Sequence, residues 1–133
     1  MTLKAIHLSI AVALAVSGCA TFAPQPPEKV FESRAMKYWQ ARLDGNLEKA
    51  YTYAPPGFRA ARTVDQYKSR FGSGAMIKEV EVYNVTCEPL KCTARMQLTA
   101  QLNLPMLNIG NMKTYVDEVW VLEDGSWWRF EEL

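Results

Sequence analysis

Histidine is nearly missing from the sequence, and its scarcity excludes several classes of catalyst and metal site. The single histidine is His7, which lies in a segment that we expect to be removed on export. A chain without histidine lacks the usual general base of serine and cysteine hydrolases and the commonest transition-metal ligand. It also contains no glycine-rich phosphate loop and no zinc-ligand spacing. We therefore expect no metal and no cofactor.

An excess of charge of either sign is lacking as well. The 133 residues include 15 Lys and Arg and 14 Asp and Glu, which give a net charge of +1. Domains that bind nucleic acid carry a clear basic excess along one face. The sequence therefore predicts no nucleic-acid partner.

The first residues have the pattern of an export signal. Lys4 precedes an uncharged, mostly apolar run over residues 5–16, which is shorter than the ~20 residues that span a bilayer. The next residues, Val16 to Cys19, resemble the lipobox of bacterial lipoproteins, in which the cysteine is acylated and the peptide is cut before it. The resemblance implies a signal peptide over residues 1–18 and a lipid on Cys19. An ordinary signal peptide with a free cysteine is the alternative.

The residues after Cys19 indicate a destination and a tether. In Gram-negative lipoproteins, a residue other than aspartate after the lipidated cysteine, here Ala20, implies sorting to the outer membrane. The protein would then face the periplasm, held to the membrane by its lipid. Residues 19–27 contain three prolines and predict an extended tether, which leaves residues 28–133 for the folded domain.

The region 28–71 has the apolar spacing of α-helices. A first helix ends at Gly45, a second follows the capping residue Asn46, and a third begins with the capping box Thr63–Gln66. The pair Pro55–Pro56 is expected to break the second helix. The sequence therefore predicts three helices, the first with its apolar stripe at Phe31, Ala35, Trp39 and Leu43.

The spacing of apolar residues changes to every second position after residue 74. Strands are predicted over 76–87, 93–104, 112–123 and 127–131, the last two joined by a turn at Asp124–Gly125. Helices followed by antiparallel strands predict an α+β domain with the helices packed on one face of a curved four-stranded sheet.

Two stretches in this order resemble a known superfamily. The run WQARLDGNLEKAYTYAPPGFR and the closing VWVLEDGSWW are similar to nuclear-transport-factor-2-like (NTF2-like) domains, also called ketosteroid-isomerase-like or cystatin-like. The similarity covers most of residues 31–130. It implies a cone-shaped domain with a pocket between helices and sheet, and leaves the chemistry open, because the superfamily includes enzymes, binding proteins and scaffolds.

Two cysteines remain after Cys19, and their spacing predicts a disulfide. Cys87 and Cys92 stand at the ends of neighbouring predicted strands, separated by the turn EPLK. A hairpin turn of this length brings two Cβ atoms together, and an exported protein meets an oxidising compartment. A redox-active pair is the alternative.

The candidate site depends on which face of the third strand turns inward. Alternation buries either Asp117 or Glu118, and the bulk of Trp120 favours the face that carries Glu118. A buried carboxylate there is a weak candidate for a general acid or base, and otherwise a polar anchor for a ligand or for a tyrosine hydroxyl. Six further side chains are either ligand-binding candidates or plain core: Tyr38, Trp39, Tyr67, Met96, Leu98 and Trp120.

The connection LPMLNIGNM between the second and third strands is unusually apolar for a loop. Leu107, Ile109 and Met112 either contact a partner or fold over one end of the domain. Together these patterns predict a lipid-anchored envelope protein that binds a partner protein or a small apolar ligand. The alternatives are a carboxylate-dependent isomerase or hydrolase of a small hydrophobic substrate, and an accessory lipoprotein of outer-membrane assembly.

Overall fold

Helices precede strands along the chain, as the sequence predicted. The computed structural model describes residues 26–71, 75–102, 106 and 110–133. The predicted signal peptide, Cys19 and most of the tether lie outside these residues. The described elements are helices α1 (Pro27–Leu43), α2 (Leu47–Tyr51), α3 (Pro56–Ala61) and α4 (Val64–Lys68), and strands β1 (Ala75–Glu88), β2 (Lys91–Leu102), β3 (Met112–Glu123) and β4 (Ser126–Arg129).

The described residues form four helices where the sequence predicted three. The additional helix is α3, which begins at Pro56, where we expected only a break. Proline is tolerated in the first turn of a helix because the amide it lacks would have no intrahelical partner there. The same rule applies at Pro27, the first residue of α1, which places the last residue of the predicted tether in the helix.

The ends of the other helices follow the sequence signals. Gly45 stands after α1 with a φ of +70°, a conformation that glycine adopts without steric cost. Asn46 accepts a hydrogen bond from the backbone N–H of Lys49 and so caps α2. Thr63 and Gln66 form both halves of the predicted capping box at the start of α4.

The strands form one antiparallel sheet in the order β1-β2-β3-β4. Register shifts between Ile77 and Glu79 and between Val82 and Asn84 interrupt the β1–β2 ladder, and such bulges bend and twist a strand. The turn between β3 and β4 has positive φ at both Asp124 and Gly125, as the Asp-Gly pair predicted. Strand β4 ends at Arg129, two residues before its predicted end.

The core lies between α1 and the inner face of the sheet. Phe31 on α1 meets Trp120 of β3 edge to face at 5.5 Å and Trp127 of β4 at 6.2 Å. On β2, Ala94 and Met96 are fully buried, on the face that alternation assigned to the core. The α+β architecture with helices on a four-stranded antiparallel sheet is therefore confirmed.

A disulfide joins Cys87 and Cys92, and this prediction is confirmed. The two residues pair across the end of the β1–β2 ladder with their Cα atoms 4.1 Å apart. Cys92 is fully buried, so the bond fastens the turn between the strands to the core.

Reduction of this disulfide is expected to lower the free energy of unfolding by about 2 kcal/mol, because the bond closes only a short loop in the unfolded chain. Urea denaturation with and without a phosphine reductant measures the difference. Intact mass before and after reduction counts the two protons gained. An unfolding midpoint that does not respond to complete reduction would contradict the expected stabilisation.

Candidate functional site

The residues predicted to line a ligand pocket form most of the centre of the packed core. Tyr38 meets Trp120 at 6.0 Å and Trp39 at 5.6 Å between ring centroids, and the hydroxyls of Tyr67 and Tyr38 are 3.4 Å apart. Neighbouring rings therefore occupy the space that a shared pocket would need. All of the proposed pocket residues have exposed fractions between 0 and 8%: Tyr38, Trp39, Tyr67, Met96, Leu98, Glu118 and Trp120.

Glu118 points inward, as we predicted from the bulk of Trp120 on the same face. Its Oε1 accepts a hydrogen bond of 3.0 Å from Nε of Arg129, and its Oε2 lies 3.4 Å from the indole Nε1 of Trp120. The carboxylate has no exposed surface. A general base needs an oxygen within reach of a substrate proton, whereas both oxygens of Glu118 already have partners inside the protein.

Arg129 is the residue of this site that the sequence analysis missed. It pairs directly with Trp120 across the β3–β4 ladder. Its side chain therefore lies on the same inner face, where its guanidinium stands 4.8 Å from the centre of the Tyr38 ring. The position of Arg129 two residues after Trp127 indicates its inward direction, because alternation puts both side chains on one face of the strand.

The buried cluster of Tyr38, Tyr67, Glu118 and Arg129 keeps a permanent positive charge on Arg129 beside two uncharged tyrosines. Burial lowers the pKa of Arg129, but the neighbouring acidic groups of Tyr38, Glu118 and Glu131 outweigh it and raise that pKa above its ordinary value. Burial raises the pKa of Tyr38 and of Tyr67. Both phenols therefore stay protonated at neutral pH, and the guanidinium stays charged.

A charged cavity of about 420 Å³ adjoins this cluster, between β3 and the C-terminal residues, and Glu118 and Arg129 form part of its border. Glu131 contacts Arg129 and lies 3.6 Å from Arg70 of the segment after α4. Both arginines of this cavity are thus paired with carboxylates on its border. Its border is formed by Arg70, Asp117, Glu118, Val119, Arg129, Phe130, Glu131 and Glu132.

A second cavity, of about 310 Å³, lies where α1 ends and β1 begins. We call it the α1-end cavity. It includes one of the predicted ligand-binding candidates, Trp39, and most of its other side chains are apolar. Its border is formed by Trp39, Arg42, Leu43, Gly45, Leu47, Phe71, Met76 and Ile77.

Two polar groups of the α1-end cavity have unusual surroundings. The guanidinium of Arg42 lies 4.6 Å from the ring centre of Trp39 and 4.2 Å from that of Phe71, so it contacts two aromatic rings. The indole Nε1 of Trp39 is buried and has no hydrogen-bond partner among the described residues. Buried donors are normally paired, so this one stands out.

The apolar loop is only partly described. Leu107 and Ile109 lie outside the described residues, whereas Met112 at the start of β3 is exposed, as is Met106. Within the described part of the chain, no group of three or more potential ligands is placed to hold a metal ion. None of the helices described is long and apolar enough to cross a membrane.

Comparison with known proteins gives a likeness of fold alone. No protein-family model and no curated sequence matches the chain. Among solved structures, a SEC-C motif containing protein from Rhodopseudomonas palustris matches with a TM-score of 0.50 at 15% identity, over 79% of this chain and 75% of that one. A protein described as an NTF2-like transpeptidase from Campylobacter jejuni matches with a TM-score of 0.47 at 12% identity, over 80% and 98%.

Proposed function

We propose that this protein is a lipid-anchored envelope protein whose NTF2-like domain binds a small apolar ligand without transforming it. The proposal that the domain does not catalyse a reaction rests on the buried ion pair of Glu118 and Arg129. Both oxygens of the one inward-facing carboxylate of β3 are already engaged. The alternative of a carboxylate-dependent isomerase or hydrolase needs that carboxylate to be free.

The envelope location is supported by the start of the chain. Val16 to Cys19 has the lipobox pattern, and the disulfide between Cys87 and Cys92 fits an oxidising compartment. Ala20 after the cysteine favours the outer membrane in a Gram-negative host. The NTF2-like assignment rests on the helices packed over one face of a four-stranded sheet, together with the order of the sequence marks.

The α1-end cavity is the binding site that we propose. Its volume of about 310 Å³ is at the lower end of the ~300–1,000 Å³ of small-molecule sites. It is also about ten times the ~30 Å³ that a water molecule occupies in the liquid. It therefore suits a ligand of about ten non-hydrogen atoms, held mainly by Leu43, Leu47, Phe71 and Ile77.

Filling this cavity is expected to abolish binding without unfolding the protein. Met76 borders it and is 47% exposed, so Met76→Trp can add bulk from the surface side. Titration with 1-octanol, followed by the indole N–H signals of the tryptophans in NMR spectra, should give saturable shifts in the wild type and none in M76W.

The matched control is Leu90→Trp, which adds an indole at an exposed position in the turn at the other end of β1. It should bind 1-octanol as the wild type does. Equal binding by wild type and M76W would contradict the assignment of this cavity as the site.

A partner protein is the second candidate, and the exposed methionines favour it. Met106 and Met112 border the apolar loop and present side chains to solvent. Methionine adapts readily to the surface of a partner. Such a partner would contact the loop residues Leu107 and Ile109 as well, and the domain could still hold a ligand at the α1-end cavity.

A further inference from the structure

The α1-end cavity has a cationic end, and we infer that its ligand carries an anionic head group, a carboxylate or similar acid, on a short apolar body. This inference rests on the proposed function and adds the chemical class of the ligand. It depends on two features of the cavity: the charge of Arg42, which has no acidic partner, and the apolar side chains beyond it.

Arg42 has no acidic partner. All 14 acidic side chains of the sequence lie within the described residues, and none of them forms an ion pair with this guanidinium. By contrast, Arg129 on the inner face of the sheet is paired with two carboxylates. The charge of Arg42 is therefore available to a ligand.

Arg42 is also held in place before any ligand arrives. Its guanidinium lies against the rings of Trp39 and Phe71, and 5.9 Å from the centre of the Tyr38 ring. An arginine that is already ordered loses little side-chain entropy on binding. Its flat face rests on the rings, and its N–H edges are the part suited to a carboxylate.

The indole of Trp39 borders the cavity, but its N–H is shielded from it. Trp39 is only 2% exposed, and its Nε1 has almost no accessible surface, so a ligand in the cavity does not reach this donor. Arg42 is therefore the group that selects the head group of the ligand. An anion pairs with its guanidinium, whereas an alcohol leaves the charge of Arg42 unmatched.

The experiment compares three probes of one length and different charge: octanoate, 1-octanol and octylammonium. We expect octanoate to bind at least about 10-fold more tightly than 1-octanol, because a hydrogen bond to a charged group contributes about 1.5–3 kcal/mol. Octylammonium should bind more weakly than either. Isothermal titration at low salt gives the three affinities.

Two variants test the role of the Arg42 guanidinium. Arg42→Met should reduce octanoate affinity to about that of 1-octanol and leave 1-octanol unchanged. Lys37→Met is the control, since it removes one positive charge from α1 outside the cavity.

The outcomes distinguish this inference from the proposed function. If octanoate and 1-octanol bind equally and both are blocked in M76W, the anionic head group is wrong and the proposed binding function stands. Tighter binding of octylammonium also overturns the inference. If no probe binds, both proposals fail. A loss of octanoate affinity in K37M equal to that in R42M would show a general charge effect instead of a site at Arg42.

Discussion

Replacing Cys19 with serine is expected to abolish lipid attachment and to move the protein out of the membrane fraction. Each buried methylene of an acyl chain contributes ~0.8 kcal/mol, and one chain alone gives only marginal attachment. The lipobox resemblance implies several acyl chains on Cys19, which would hold the protein firmly, so that loss of the cysteine would remove the whole anchor. In a Gram-negative host, the Cys19→Ser protein should appear in the soluble periplasmic fraction or as an uncleaved precursor.

Metabolic labelling with palmitate measures the lipid directly, and intact mass shows whether residues 1–18 have been removed. The matched control is the double variant Cys87→Ser/Cys92→Ser, which changes the other two cysteines and should keep both label and membrane association. A wild-type protein that takes up no palmitate would overturn the lipoprotein hypothesis.

Replacing Arg129 with methionine is expected to lower the free energy of unfolding by about 3–5 kcal/mol, because it leaves a buried carboxylate without its partner. Glu118 has no exposed surface, and only 18% of the Arg129 side chain is exposed. Methionine retains much of the volume of the arginine side chain. The decrease in the free energy of unfolding therefore reports mainly on the lost charge. Urea denaturation followed by circular dichroism gives the difference.

The control pair lies on the opposite face of the sheet, where Arg95 of β2 is paired with Asp117 of β3. Arg95 and Asp117 approach to 3.9 Å, but their side chains are 53% and 63% exposed. Arg95→Met should therefore cost no more than about 1 kcal/mol. The double variant Glu118→Gln/Arg129→Met should lose about 2 kcal/mol less than the two single changes together. An R129M protein as stable as R95M would mean that water reaches Glu118, which would favour the catalytic alternative.

Sequence rules that consider only neighbouring residues predicted most of the fold. Period-two alternation identified the inner face of β2 and β3, and capping signals located the starts of α2 and α4. The additional helix α3 was not predicted because proline has two roles: it breaks a helix from within, and it also begins one. The pair Pro55–Pro56 has both roles. A sequence pattern alone does not distinguish these two roles.

The candidate site was predicted only in part. The inward direction of Glu118 followed from alternation and from the bulk of Trp120. Its partner Arg129 is 11 residues away on the next strand, and a pairing between strands depends on register. The α1-end cavity was missed because it joins α1, α2 and the start of β1, so its residues are neighbours only after folding.

The free edge of β1 could pair with the same edge of another copy of this protein if many copies were held on one membrane surface. Strand β1 has 14 residues and pairs only with β2 in the described sheet, so its other edge presents unpaired backbone groups. Tethering raises the local concentration of such edges, and exposed edges add to one another as strands. The bulges near Ile77 and Val82, together with the charges of Lys78, Glu79 and Glu81, interrupt that edge. If the domain is held on a membrane as proposed, these features oppose the edge-to-edge addition of neighbouring copies.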